Sequence, residues 1–185
     1  ATTTTTYKLL SLVPDERIPG TMLVGHTLPV VVQAFAFISV VSVDGTLLVV
    51  ENLRTYFSLE SGTVKAVDGV SFTLNHGEAL GIAGESGCGK TTTALSLVQI
   101  LPSNARVVEG SIKLMGIDLV GKSESALRRY RWREVSIVFQ GAMNALNPVR
   151  RVGDQVAEPI LIHDPTLGRT AAARRVGELF EMVGI

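Results

Sequence analysis

The distribution of apolar and polar positions changes character near residue 44. Ahead of that point lies a threonine run, Thr2–Thr6, and then a stretch from Ile18 to Val43, 26 residues without one Asp, Glu, Lys or Arg. A bilayer-spanning helix needs roughly 20 apolar residues. Here Pro19, Gly20, Gly25, His26, Pro29 and Gln33 interrupt the stretch and leave only Val30–Val43 densely apolar. A secretory signal also fits poorly, because Lys8 is the only early positive charge and no clean cleavage site follows. Residues 1–43 therefore read as an extension of unknown role, with an extra strand or a poorly ordered segment preferred over a membrane-associated one.

From Asp44 the pattern becomes short β-type runs broken by turn signals. Thr46–Val50 and Val64–Leu74 predict strands, the second interrupted at Asp68-Gly69, and Asn75-His76-Gly77 predicts a turn into the apolar strand Ala79–Ala83. After Lys90, the positions Ala94, Leu95, Leu97, Val98 and Leu101 share one helical face, and Pro102 stops the helix. Ser111–Leu114 and Val135–Phe139 predict further strands, with a short charged helix at Ser123–Tyr130 between them. Val152–Ile162 and Arg169–Val183 predict two closing helices. The last sets Ala172, Val176, Leu179, Phe180 and Val183 in register, with Arg174, Arg175, Glu178 and Glu181 facing out. No internal repeat is visible, and strands alternating with helices indicate an α/β domain over 44–185.

Composition narrows this only a little. The 185 residues suffice for one domain with a real core, and 46% hydrophobic against 18% charged residues reads as globular. Lys+Arg and Asp+Glu both total 17, so net charge argues for no nucleic-acid partner. The lone Cys88 excludes an internal disulfide. The first residue is Ala1, so the chain is expected to be processed, trimmed or a piece of something longer.

One segment carries chemistry. Gly84, Glu85, Ser86, Gly87, Cys88, Gly89, Lys90 and Thr91 match the phosphate-binding pattern G-x-x-x-x-G-K-[ST] in full, and Thr92 follows in the first helical turn. Glycines at 84, 87 and 89 are expected to take left-handed conformations and let main chain approach phosphate oxygens without a Cβ in the way. Successive N–H groups then converge on one concavity, and the helix beginning near Lys90 adds unpaired N–H groups and its positive dipole end. Lys90 supplies a mobile charge for the β- and γ-phosphates, and the Thr91 hydroxyl can complete the coordination of Mg²⁺. An apolar strand runs straight in and an amphipathic helix straight out, the context that this pattern requires.

The flanks are more specific. Leu53–Phe57, Val64–Phe72 and Gly81–Thr92, then Ile137–Pro148 and Gly153–Pro159, closely resemble the ATP-binding cassette (ABC) proteins, within them the dipeptide/oligopeptide/nickel importer group. The resemblance covers about residues 46–185. It implies a partial ABC-type nucleotide-binding domain of the P-loop NTPase class: an α/β core, an antiparallel β portion and the start of a helical subdomain. It implies ATP and Mg²⁺ as ligands, and an aromatic ahead of the P-loop stacked on adenine, with Phe57 at the best spacing and Tyr56 its rival. Gln140 matches the glutamine that meets Mg²⁺ and the attacking water, and Gly141–Pro148 would form the loop facing a membrane-spanning permease subunit. A second cassette is the other implied partner, and the cytoplasmic face of the cell membrane the implied location.

The same resemblance implies that the signature loop, the acidic strand with the catalytic glutamate and the switch histidine lie beyond Ile185; His26, His76 and His163 do not stand where that histidine would. Binding is then expected from these residues, and hydrolysis by them alone is not. Two other classes compete. A soluble P-loop kinase would show an arginine-rich lid, which is missing, and a binding module without hydrolysis would be this stretch acting by itself. Arg128-Arg129-Tyr130-Arg131-Trp132-Arg133 interleaves cations with aromatics as a nucleic-acid contact does, but the balanced net charge favours a solvated helix end.

Overall fold

The computed structural model describes the backbone of residues 6–11 and residues 45–139 and 145–185 in full. The expectations for 18–43, for Gln140 and for 141–144 therefore lie outside the described residues. Residues 1–140 and 141–185 form two compact units.

In the first unit, β2 (Thr46–Leu59) and β3 (Gly62–Asn75) make a long antiparallel hairpin, and β5 (Ala105–Leu114) pairs with the other edge of β2. The two-residue β6 (Ile117–Asp118) closes a four-stranded sheet of order β3-β2-β5-β6. The strands run further than the apolar patterns suggest, because the polar residues at 51–58 alternate across a sheet with one wet face. Bulges shape the hairpin. Asn52, at φ 47, and Gly69, at φ 88, each add a residue to one strand, and Ala66 is skipped between the pairs Thr55↔Val67 and Tyr56↔Lys65. Asp68-Gly69 is thus a bulge inside a continuous strand rather than a break.

The strand β4 (Glu78–Ala83) follows the Asn75–Gly77 turn and delivers the chain to the glycine-rich loop. A strand from the N-terminal extension, β1 (Thr6–Ser11), pairs with it in parallel, Thr6 opposite Glu78 through Ser11 opposite Ala83. Helix α1 (Lys90–Leu97) leaves the loop and lies against β2 and β3. The core gathers Leu47, Leu48, Val50 and Leu53 of β2, Ile112 and Leu114 of β5, and Leu97 and Val98 at the end of α1. Of the charged helix expected at 123–130, only α2 (Glu124–Leu127) is helical, capped by the Ser123 hydroxyl, and turns complete it. The strand expected at Val135–Phe139 is absent. Among the described residues this segment makes a single bridge, Arg131↔Val135, so it has no ladder to hold it.

In the second unit, α3 (Val152–His163, containing Pro159) and α4 (Arg169–Met182) pack on each other. Ala172 and Val176 of α4 are buried as the periodicity predicts, whereas Val183 is exposed. Among the described residues no helix is long and apolar enough to cross a membrane.

Candidate functional site

The strand-to-helix turn at 84–92 has the geometry that its composition calls for at two of its three glycines. Gly87 (φ 83) and Gly89 (φ 94) occupy the left-handed region, while Gly84 does not, contrary to expectation. Gly84 directly follows Ala83, the last residue of β4, and stands ahead of the reversal that Gly87 and Gly89 make. Gly89 is required twice over. Beyond its φ, a Cβ there would collide with the carbonyl oxygen of Ala66, the residue bulged out of β3. The bulge thus seats the antiparallel sheet directly behind the loop.

Helix α1 starts with no side chain capping it and with no acidic residue in its first turn. Its first main-chain bond runs from Thr93 N to Gly89 O at 2.8 Å, so the amides of Gly89, Lys90, Thr91 and Thr92 precede the helical ladder. Lys90 is buried, and its ammonium donates to the carbonyl oxygens of Gly84 (2.8 Å) and Glu85 (2.7 Å), with Cys88 Sγ at 3.6 Å. Cys88 N donates to Glu85 O at 3.3 Å and tightens the loop. Glu85, Ser86, Gly87 and Thr91 are exposed, so the mouth faces solvent. An uncapped helix start, left-handed glycines and a folded-in ammonium make a donor set suited to a polyanion. A triphosphate fits these residues chemically: amides toward its oxygens, Lys90 as the mobile cation and the Thr91 hydroxyl free to reach a metal.

The two aromatic candidates part company. Thr55, Tyr56 and Phe57 pair in unbroken register with Val107, Arg106 and Ala105, so they alternate faces. Phe57 shares the face of Thr55, whose hydroxyl meets Ser96 of α1 at 2.8 Å, and its cross-strand neighbours are Val64 and Ala105. Tyr56 lies on the opposite face within a polar cluster. Its hydroxyl donates to Asp68 Oδ1 at 2.7 Å, Lys65 stands 5.5 Å from its ring centroid, and Arg54 bonds Asp68 (2.6 Å) and approaches Glu109 (3.3 Å). The Tyr56 hydrogen bond, with the Lys65 and Arg54 charges, holds the Asp68 carboxyl below the usual carboxylate range.

Three features escape a reading of the sequence alone. The Ala66 bulge has no composition signal. The Thr55–Ser96 pair joins residues 41 apart and both are fully buried. The third is Arg131, which is not part of a solvated helix end. Its guanidinium donates to Val98 O (2.9 Å) and Gln99 O (2.5 Å) at the end of α1, and to both carboxylate oxygens of Glu124 (2.8 and 3.0 Å). That contact lowers the pKa of Glu124. Its neighbours Arg128, Arg129 and Arg133 are exposed, as expected.

In the second unit, the residues after Asn144 form a turn held by Gln155 of α3. Its carboxamide oxygen accepts from Asn147 N (2.8 Å), and its Nε2 donates to Asn147 O (3.0 Å) and Arg150 O (3.1 Å).

Comparison with known proteins agrees with this geometry. The sequence model of the ABC transporter family matches residues 67–185. The oligopeptide transport ATP-binding protein OppD of Mycobacterium tuberculosis (strain ATCC 25618 / H37Rv) is 43% identical over 139 residues, 75% of this chain and 22% of that protein. The oligopeptide transport ATP-binding protein AppD of Bacillus subtilis (strain 168) is 41% identical over 140 residues, 75% of this chain and 42% of that one. The dipeptide transport ATP-binding protein DppD of Lactococcus lactis subsp. cremoris (strain MG1363) is 39% identical over 138 residues, 75% and 40% of the two chains. The chain thus spans well under half the length of these relatives. Among solved structures, the dimeric MJ0796 cassette, a bacterial ABC transporter cassette, aligns with a TM-score of 0.60 at 18% identity, over 74% of this chain and 56% of that one, a likeness of fold.

Proposed function

This chain belongs to the ABC transporter family, and from that membership we propose that it binds MgATP as part of the energy-coupling subunit of an importer for peptides or similar solutes. The observation that carries the reading is the uncapped start of α1 with the Lys90 ammonium folded into the loop it commands. In the nucleotide-bound protein the ammonium exchanges the two loop carbonyls for phosphate oxygens, a stronger charge-assisted contact. Gly87, Cys88, Gly89, Lys90, Thr91 and Thr92 supply main-chain donors, with Gly84, Glu85 and Ser86 forming the near wall. Thr91 and Gln140 would hold Mg²⁺, which neutralises phosphate charge when bound.

Phe57, rather than Tyr56, takes the base. Its face is the one packed on α1, and Val64 and Ala105 flank it with apolar surface, whereas the Tyr56 ring is committed to Asp68 and Lys65. The peptide-transport names of the relatives support the cargo class, and the family supports permease subunits and a second cassette as partners at the cytoplasmic face of the membrane. The residues named above account for binding, the part of the family's chemistry that this geometry supports.

The test is titration calorimetry of the full chain with MgATP. Lys90→Ala is expected to weaken binding at least tenfold, about 1.4 kcal/mol or more. Equal affinities for the two proteins would dismiss the site.

A further inference from the structure

We propose that the buried hydroxyl pair Thr55–Ser96 is a positioning device that registers the base-binding strand against the phosphate-binding helix, and that Thr55 is thereby a specificity-determining residue for nucleotide over bare polyphosphate. The inference deepens the nucleotide reading given above and rests on it.

The pair occupies a particular place in each element. Along β2, Thr55 is the last fully buried residue before the hairpin tip; Phe57 is half-buried two positions on, and Ser58 to Val64 are all exposed. Phe57 therefore stands on an overhang that β3 and β5 still pair, with Ser58 N donating to Asn104 O at 2.7 Å, while the side-chain hydrogen bond from β2 to α1 is made at Thr55. On the helix, Ser96 is six residues beyond Lys90, about 9 Å along the axis. Two elements carrying the two halves of a nucleotide site are thus tied at one point.

Its chemistry is closed and directional. Ser96 Oγ has one proton and donates it to Thr92 O at 2.7 Å, so the 2.8 Å contact with Thr55 is donated by the Thr55 hydroxyl. Both side chains are fully buried, where a bond with neither partner reaching water has a fixed length and direction. Apolar side chains alone could slide there; a hydrogen bond between β2 and α1 cannot. A second tie, between the start of α1 and β3, the hairpin partner of β2, is the seating of Gly89 against the Ala66 bulge, at the opposite end of α1. With both ties present, the overhang bearing Phe57 holds one distance from the loop.

Thr55→Val is the decisive variant. It is close to isosteric, it removes the donor, and it leaves Ser96 bonded to Thr92. The full chain is titrated with MgATP and with magnesium tripolyphosphate, a probe that carries the anionic tail without base or sugar. The wild type is expected to prefer ATP by about tenfold or more, the scale of one stacked base. Thr55→Val is expected to bind tripolyphosphate within twofold of wild type while losing most of its preference for ATP, and Thr55→Ser, which keeps the hydroxyl, to restore it. Ser96→Ala, which removes the acceptor from the helix side, must give the same pattern, so the proposal stays open to refutation if either variant misfolds. Undiminished ATP preference in Thr55→Val overturns the inference and leaves the nucleotide reading standing. Equal weakening toward both ligands also overturns it, since a merely structural bond would do that. A wild type that binds tripolyphosphate as well as ATP removes the base-binding reading itself, and this inference with it.

Discussion

At the scale of single residues, neighbouring positions of one strand carry opposite assignments. Tyr56 and Phe57 are both aromatic and both half-buried, yet alternation sends one to the polar face and the other to the helix-packed face. The polar assignment of Tyr56 has its own consequence. Its hydroxyl is the leading reason that the Asp68 carboxyl titrates low. A carboxyl whose folded pKa lies below its unfolded one stabilises the fold fully above the unfolded value, about 3.9, and loses that contribution as pH falls through the lowered value. Tyr56→Phe should therefore move the Asp68 titration upward, toward the ordinary range, as followed by the carboxyl carbon shift in NMR. In urea melts, the gap between wild type and Tyr56→Phe should be widest near neutrality and close as the pH drops below about 4. A gap that widens in acid would mean that the hydroxyl does not act through Asp68. The same substitution should leave MgATP affinity unchanged if Phe57 holds the base.

At the scale of elements, α1 depends on what ends it as much as on what it binds. The carbonyls just past its last residue, those of Val98 and Gln99, are met by the guanidinium of Arg131, which Glu124 holds in place, and Gln99 takes a left-handed φ of 53. Arg131 is largely buried, with 14% of its side chain exposed, so its removal takes the donor from the Val98 and Gln99 carbonyls, while the exposed Glu124 carboxylate keeps water and Arg128. Arg131→Gln should lower stability by about 1–3 kcal/mol, read as a shift in the urea midpoint at constant slope, with Glu124→Gln losing less. A loss no larger than that of Arg129→Gln, an exposed neighbour, would remove the clamp. The elements differ in how visible they were. The P-loop, the turn at 75–77 and the helices α3 and α4 follow from local signals: a fixed glycine spacing, a turn triplet, a 3.6-residue period. The clamp, the Ala66 bulge and the Thr55–Ser96 tie do not, because each joins residues tens of positions apart and none alters a local pattern. Val135–Phe139 misled for the related reason that an apolar run states a preference for extended backbone, while a strand needs a partner.

At the scale of the whole molecule, the two compact units are very unequally furnished. The first buries a continuous cluster of aliphatic side chains from β2, β3, β5 and the end of α1, several with no exposed surface at all. In the second, α3 has no buried residue and α4 has two, the small Ala172 and Val176, while Val149, Met182, Val183 and Ile185 stand open. Apolar burial contributes about 25 cal/mol per Å², so a hairpin with so little of it has scant means to oppose local opening. Main-chain hydrogen bonds near solvent then exchange by opening that does not require the body to unfold. Hydrogen exchange followed by mass spectrometry should show peptides from 152–163 and 169–182 exchanging well ahead of those from 46–57 and 105–114. The Gln155 carboxamide adds a finer gradation, since it ties Asn147 and Arg150 to α3 with three hydrogen bonds, and Gln155→Ala should accelerate exchange at 147–155 without touching the β2 peptides. Equal protection of α3 and β2 would require the second unit to be held by contacts beyond its own thin core, and the stability of this hairpin would then have to be sought in a surface it shares.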